Sequence, residues 1–222
     1  ATEGLVGISL NASTGTNTSG GTITLGTAYS TGMYGIAKST LTNAGTISGN
    51  KQNAVGMATK ASTATNTGTI TLSGVDSTGM FGLSVGSDKS TLTNKGTING
   101  NGVGAVGIAA DNSTAENSSG ATINLISNKS TGIFGKAKSK VTNAGTIELK
   151  TASPTSTSEG LVGIALNDST GTNTSSGQIK IGTKFSTGMF GENSSTLTNE
   201  GSITGDKISA VGMAGKASTV TN

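Results

Sequence analysis

One signature recurs along the whole chain: an Asn set before a Gly-rich corner, at Asn17, Asn43, Asn66, Asn94, Asn117, Asn143, Asn173 and Asn199, with a ninth Asn at Asn222. Between these corners lies a second mark, a glycine following an apolar pair. It occurs at Gly7, Gly35, Gly56, Gly82, Gly107, Gly135, Gly163, Gly191 and Gly212, at intervals of 21 to 28 residues. A repeat of that length is one supersecondary unit, too small to bury an apolar face alone and able to do so by stacking on its neighbours. Nine such units account for all 222 residues.

Two kinds of unit alternate. One carries AVG or LVG, as in Ala54-Val55-Gly56, and the other STG followed by Met or Ile and an aromatic, as in Ser77 to Phe81. A longer echo lies over this pairing: residues 1–66 match residues 157–222 at a constant offset of 156 residues, an internal duplication within a single solenoid. Composition alone would permit a disordered linker, since only 32% of residues are hydrophobic and 36 are Gly. Strict periodicity argues instead for an ordered repeat.

Within a unit the apolar runs span only three to five residues between Gly and Asn, as in Gly68 to Leu72, too short for helices. Three short strands per unit predict an all-β fold, a parallel β-helix in the usual right-handed sense, with about nine coils. At a strand spacing of about 4.8 Å the rod is roughly 40 Å long. Alternation makes Ile23, Ile47, Ile70, Ile98, Ile123, Ile147, Ile179 and Ile203 an inward stack. The strand before it has Gly15, Leu41, Ala64, Leu92, Ala115, Val141, Gly171, Leu197 and Val220 at its centre, small and large in near alternation, which lets layers interdigitate. Each corner Asn tolerates a left-handed backbone and can stack its amide on the next coil, satisfying polar groups that a turn would leave unpaired. The expected role of the eight Asn from Asn17 to Asn199 is therefore a structural ladder.

Chemistry is sparse. No Cys, His or Arg occurs, which removes the usual zinc and copper ligands, and no cofactor or metal site is expected. A net charge of +3 from scattered Lys gives no concentrated basic face for nucleic acid. The 11 acidic residues are dispersed, and Asp111 and Asp168, the best placed, lie two coils apart. No catalytic constellation results and no enzyme is predicted. Gly102 to Gly107 matches the dinucleotide fingerprint GxGxxG without the strand and helix that its chemistry requires.

Two features remain as binding candidates. In the STG units Met33-Tyr34, Met80-Phe81, Ile133-Phe134 and Met189-Phe190 stand where the other units carry Val6, Val55, Val106, Val162 and Val211. One residue of each pair is expected inside, and we expect the ring to fill the core opposite Val; the alternative is an exposed stripe of Tyr34, Phe81, Phe134 and Phe190, able to stack on sugars or proteins. The second is the irregular stretch from Lys150 to Glu159, which contains the only proline, Pro154, because loops leaving a solenoid tend to carry recognition.

The alternation of STGM(F/Y)G with AVG(I/M) and TN-x-GTI, as in Thr42-Asn43-Ala44-Gly45-Thr46-Ile47, resembles the passenger repeats of large fusobacterial autotransporter adhesins of the RadD type. That resemblance covers the whole chain. It implies a bacterial cell-surface protein held in the outer membrane by a C-terminal barrel, with the β-helix mediating or spacing adhesion to surface receptors of partner bacteria or host cells. The chain begins and ends inside its repeat, so continuation into more coils, or end-to-end self-association, is a further expectation. Two other functions fit such a solenoid: a carbohydrate-active β-helix enzyme, or an ice-binding surface built on Thr rows such as Thr22-Ile23-Thr24 and Thr69-Ile70-Thr71, which Glu148 and Lys180 interrupt.

Overall fold

Each unit folds as three consecutive strands separated by tight corners, beginning with Val6–Asn11, Thr14–Asn17 and Thr22–Leu25. This is a computed structural model that describes residues 4–150 and 159–222. First strands of successive units pair into a nine-stranded sheet (sheet A), second strands into another of nine (sheet B) and third strands into one of eight (sheet C). All of these strand pairings are parallel and coil-to-coil. The result is a parallel β-solenoid of eight complete coils and a ninth represented by Val211–Lys216 and Thr219–Thr221. No helix occurs among the described residues.

The interior is a column of aliphatic layers. Ile47, Ile70, Ile98, Ile123, Ile147 and Ile179 are at most 1% exposed, with Ile23 and Ile203 partly buried at the two ends. Burial of one such side chain is worth about 1.5–3 kcal/mol, and a row of them fixes which face of sheet C is inside. A one-residue slip would turn every Ile outward.

Sheet A pairs differently from the glycine alignment above. Thr31 lies opposite Val55 and Met33 opposite Met57, so the glycine beside Gly56 is Gly32, not Gly35. Likewise Thr78 pairs with Val55 and Val106, which brings Gly79 beside Gly56 and Gly107. The column of close-packed glycines is therefore Gly7, Gly32, Gly56, Gly79, Gly107, Gly132, Gly163, Gly188 and Gly212. A Cβ on Gly107 would stand 2.5 Å from the Gly132 carbonyl oxygen and 2.6 Å from Ile123 Cγ2. The Ile row thus fills the space that these glycines leave empty.

Ring orientation is the second correction. Met33, Met80, Ile133 and Met189 fill the core at 0% exposure, whereas Tyr34, Phe81, Phe134 and Phe190 are half-buried on the outer face. The residue opposite the Val of each alternate unit is a Thr, and the rings do not face the Val column at all.

The third concerns the corners. No ladder Asn adopts the left-handed region; the non-glycine residues with positive φ sit at the other two corners. Between sheets A and B they include Ala12, Lys38, Ala61, Asn112, Asp168 and Ala217, and between C and A they include Tyr29, Asn53, Asp76, Lys129 and Phe185. At the Asn corner only Gly120 among the described residues has positive φ, and the corner is held by side-chain amides.

Packing across the A–B corner explains the alternation of small and large residues. In coils where sheet A ends on an inward Gly, sheet B supplies a large residue: a Cβ on Gly35 would lie 2.2 Å from Leu41 Cδ1, and one on Gly191 2.6 Å from Leu197 Cδ1. Two coils of the other kind invert the arrangement: a Cβ on Gly15 would lie 2.8 Å from Leu10 Cδ1, and one on Gly171 2.7 Å from Leu166 Cδ1. The coils of that kind between them share the site between two smaller residues, Thr59 with Ala64 and Ala110 with Ala115.

Candidate interaction surfaces

The Asn side chains form one continuous ladder. Each Nδ2 donates to the Oδ1 of the Asn in the following coil, from Asn17 through Asn43, Asn66, Asn94, Asn117, Asn143, Asn173 and Asn199 to Asn222, at 2.7–2.9 Å. The same Nδ2 lies within hydrogen-bond reach of corner carbonyls, as Asn173 does with Gly177 at 3.3 Å and Ser202 at 3.4 Å. The interior rungs from Asn43 to Asn173 are fully buried, so these amides are unavailable to a ligand.

Two further ladders escaped the reading of the sequence. At the A–B corner, Ser39, Ser62, Ser139, Ser169 and Ser195 accept through Oγ from backbone N–H groups one coil earlier, at 3.0–3.3 Å. At the C–A corner Ser30, Ser77 and Ser186 do the same for Leu5, Ala54 and Leu161. Their signal was present in the recurring Ser of STG and of the K-S/A-S dipeptides, hidden by the overall abundance of Ser.

The outer face of sheet A carries the aromatic residues in one row. In register along the rod it runs Ser9, Tyr34, Ala58, Phe81, Ala109, Phe134, Ala165, Phe190, Ala214, a ring on every second coil with a small residue between. On one side is a row of alternating Val and Thr; on the other, Lys60, Asp111, Lys136, Asn167, Glu192 and Lys216 give hydrogen-bonding groups, with Ile36 and Leu83 among them. A concavity of about 350 Å³ adjoins the first ring, lined by Tyr34, Ile36, Lys60, Val85 and Asp88 among others. Its wall is a turn in which Val85 and Asp88 exchange backbone hydrogen bonds at 3.0 Å. Asp88 is 3.7 Å from Lys38 Nζ.

The acidic candidates are engaged with lysines. Asp111 is 3.0 Å from Lys136 Nζ, and Asp168 pairs with Lys138. Gly102 to Gly107 runs through a corner into the strand Val106–Asp111, so no helix N-terminus follows it. Sheet B carries Thr at both outward positions, Thr40-Leu41-Thr42 stacking on Thr63-Ala64-Thr65 and Thr91-Leu92-Thr93, until Glu116 and Lys140 break the two rows.

On sheet C, Glu148 pairs with Lys150 and stands 3.5 Å from Lys180 Nζ. The hydrogen bond from Lys150, reinforced by the charges of Lys150 and Lys180 and opposed by partial burial, holds this carboxyl below its ordinary value of 4.5. A depressed folded pKa stabilises the fold above the unfolded value, and the gain drains away as pH falls through the folded one. Glu148→Gln should therefore lower the unfolding midpoint slightly at pH 7, by roughly 0.5 kcal/mol for so exposed a set of lysines. Variant and parent should converge in melting experiments as the pH falls through the depressed pKa of Glu148.

Of the irregular stretch, Lys150 is thus committed to Glu148. Glu159 is back in the coil: its N–H donates to Asn128 Oδ1 at 2.8 Å and its carbonyl accepts from Lys129 N–H at 3.3 Å. Pro154 lies outside the described residues.

These coils match a known architecture. The family model of the BigA third pectate lyase-like domain matches residues 2–102 and again residues 100–222. The chain belongs to this family. BigA-type domains occur in bacterial surface proteins, in keeping with an extracellular repeat region. No curated protein and no solved structure matches the chain at a significant level. The two BigA-type matches meet where the ladder is unbroken, since the strand Thr97–Gly100 pairs normally on both sides. Among the described residues of this BigA-type domain, no three His, Cys, Asp or Glu side chains converge as a metal site would require.

Proposed function

We propose that this domain is a rod segment of a cell-surface adhesin, the exported passenger of an autotransporter of the RadD-like kind anchored in the outer membrane. It contacts or spaces receptors on other bacteria or host cells. The observation that carries this reading is the unbroken stack of coils in a family of bacterial surface proteins: three ladders of buried amides and hydroxyls make a stiff spacer, and its whole outer surface is open to partners. The same reading makes the domain non-catalytic. Lyase chemistry on a uronate needs a base for the sugar C–H and a cation for its carboxylate, and the best-placed carboxylates here are already bound to lysines.

The test is binding of the purified chain to whole bacterial and human cells, with galactose, Lys and Arg as competitors. Saturable binding, together with no cleavage of a polysaccharide panel that includes polygalacturonate, is the expected outcome. A chain that binds no cell and cleaves a polysaccharide would overturn it.

A further inference from the structure

We infer that the outer face of sheet A is a track for an unbranched β-1,4-linked hexopyranose chain lying parallel to the rod. This deepens the adhesive reading and rests on it, adding the chemical class of the ligand.

Repetition of the STG unit brings Tyr34, Phe81, Phe134 and Phe190 to one register position on every second coil, which lines up four rings along one face. Each has Ala or Ser above and below it in register, so the residues stacked directly on the ring are small. The buried partner beside each ring is Met or Ile, so the core is filled without it and the half-exposed ring is free for contact.

The spacing selects the ligand. Rings two rungs apart stand about 10 Å from one another at the usual strand separation. In an extended β-1,4-linked chain successive sugars are turned over, so the same apolar C–H face returns at every second residue, with a closely similar period. Pyranose C–H groups meet the negative face of an aromatic ring favourably, and each sugar so stacked is fixed in orientation by hydroxyl contacts at its edges. Such contacts are at hand in the row beside the rings, from Lys60 and from the donor and acceptor sites left over by the Asp111–Lys136 and Asn167–Glu192 pairs. The concavity beside Tyr34, walled by Val85 and Asp88, marks one end of the track. An α-1,4-linked glucan coils and does not repeat a face in line, so it fits poorly.

The experiment is retention of the 222-residue chain on cellulose, chitin and mannan, with soluble hexasaccharides of the same linkages titrated by calorimetry and amylose as the control. We expect binding to at least one β-1,4-linked glycan and none to amylose. Phe81→Ala with Phe134→Ala should weaken binding at least tenfold, and Phe81→Leu with Phe134→Leu, which keeps apolar bulk but removes the flat ring, should do nearly the same. Thermal melting of both double variants should stay close to that of the parent. Binding to none of the glycans, equal binding to amylose, affinity unchanged by either pair, or a dimer in sedimentation that the ring variants dissolve would each overturn the proposal. Cell binding that persists in the ring variants would leave the adhesive reading standing and remove only the glycan track.

Discussion

Asn173→Leu should cost this fold several kcal/mol, a loss far beyond that of an ordinary surface change. Leucine keeps the branched outline of asparagine but replaces the amide oxygen and nitrogen by larger methyl groups, so the loss of the rung is joined by some overpacking against the neighbouring amides. Removing it leaves the Asn143 Nδ2, which donates to Asn173 Oδ1 at 2.7 Å, without its rung partner. It also removes the donor to Asn199 Oδ1 at 2.8 Å. Each buried polar group so orphaned costs about 1–3 kcal/mol. Because coils stabilise one another through nearest-neighbour contacts, damage at one rung weakens both adjacent interfaces. Urea unfolding of the variant should show a lower midpoint, and replacement at the exposed Ser175 should show almost no change. Equal midpoints for Asn173→Leu and parent would mean that the ladder follows from the fold and does not hold it.

How much of this was legible in the residues depends on whether a single position or a relation between positions was needed. The Ile stack and the Asn row repeat one residue type at one place in every coil, and alternation alone puts them on sheet C and at the B–C corner. Sheet A was harder, because its STG strands contain two glycines each. Gly35 and Gly56 both follow an apolar pair, but the pairing is decided by which glycine lets the backbone of the next coil approach, and that is Gly32. Once the register moves by three residues, the rings turn from the core to the surface. The candidate track was therefore present in the sequence as residues and absent as a surface.

The corners were obscured for a different reason. Left-handed residues are ordinarily sought at Gly and Asn, yet the repeated ladder Asn are spent on hydrogen bonds, and Ala61, Lys38 and Ala217 take the positive φ alongside Asn53 and Asn112. Here the stacking of coils outweighs local preference, because each such corner is tied to its neighbour by backbone bonds, as Ala61 N–H is to the Leu83 carbonyl at 2.9 Å. The turn Ser84 to Lys89 could have been found, since the gap between its flanking strands is longer than in other coils, and it forms the wall of the only concavity among those described that touches a row ring.

The exchange of large and small residues across the A–B corner makes a prediction whose sign depends on which contact dominates. At Gly171 the three atoms nearest to an added Cβ all belong to Leu166, at 2.7 to 3.4 Å. Leu166 is 1% exposed and has no room to retreat. Gly171→Leu should therefore overpack the layer by about 1–3 kcal/mol, and Leu166→Gly should open a cavity costing about 2–5 kcal/mol. The double variant restores one large side chain to the shared site, the arrangement the neighbouring coil already uses with Gly191 and Leu197. If packing within the coil dominates, the two changes couple favourably by about 1–3 kcal/mol and the double variant is more stable than Leu166→Gly alone. If stacking between coils dominates, the double variant suffers both losses, because its new Leu then lies between Val141 and Leu197 in sheet B. Chemical unfolding of the four proteins distinguishes these outcomes. The distances at Gly171 favour the first, since every close atom there lies in its own coil.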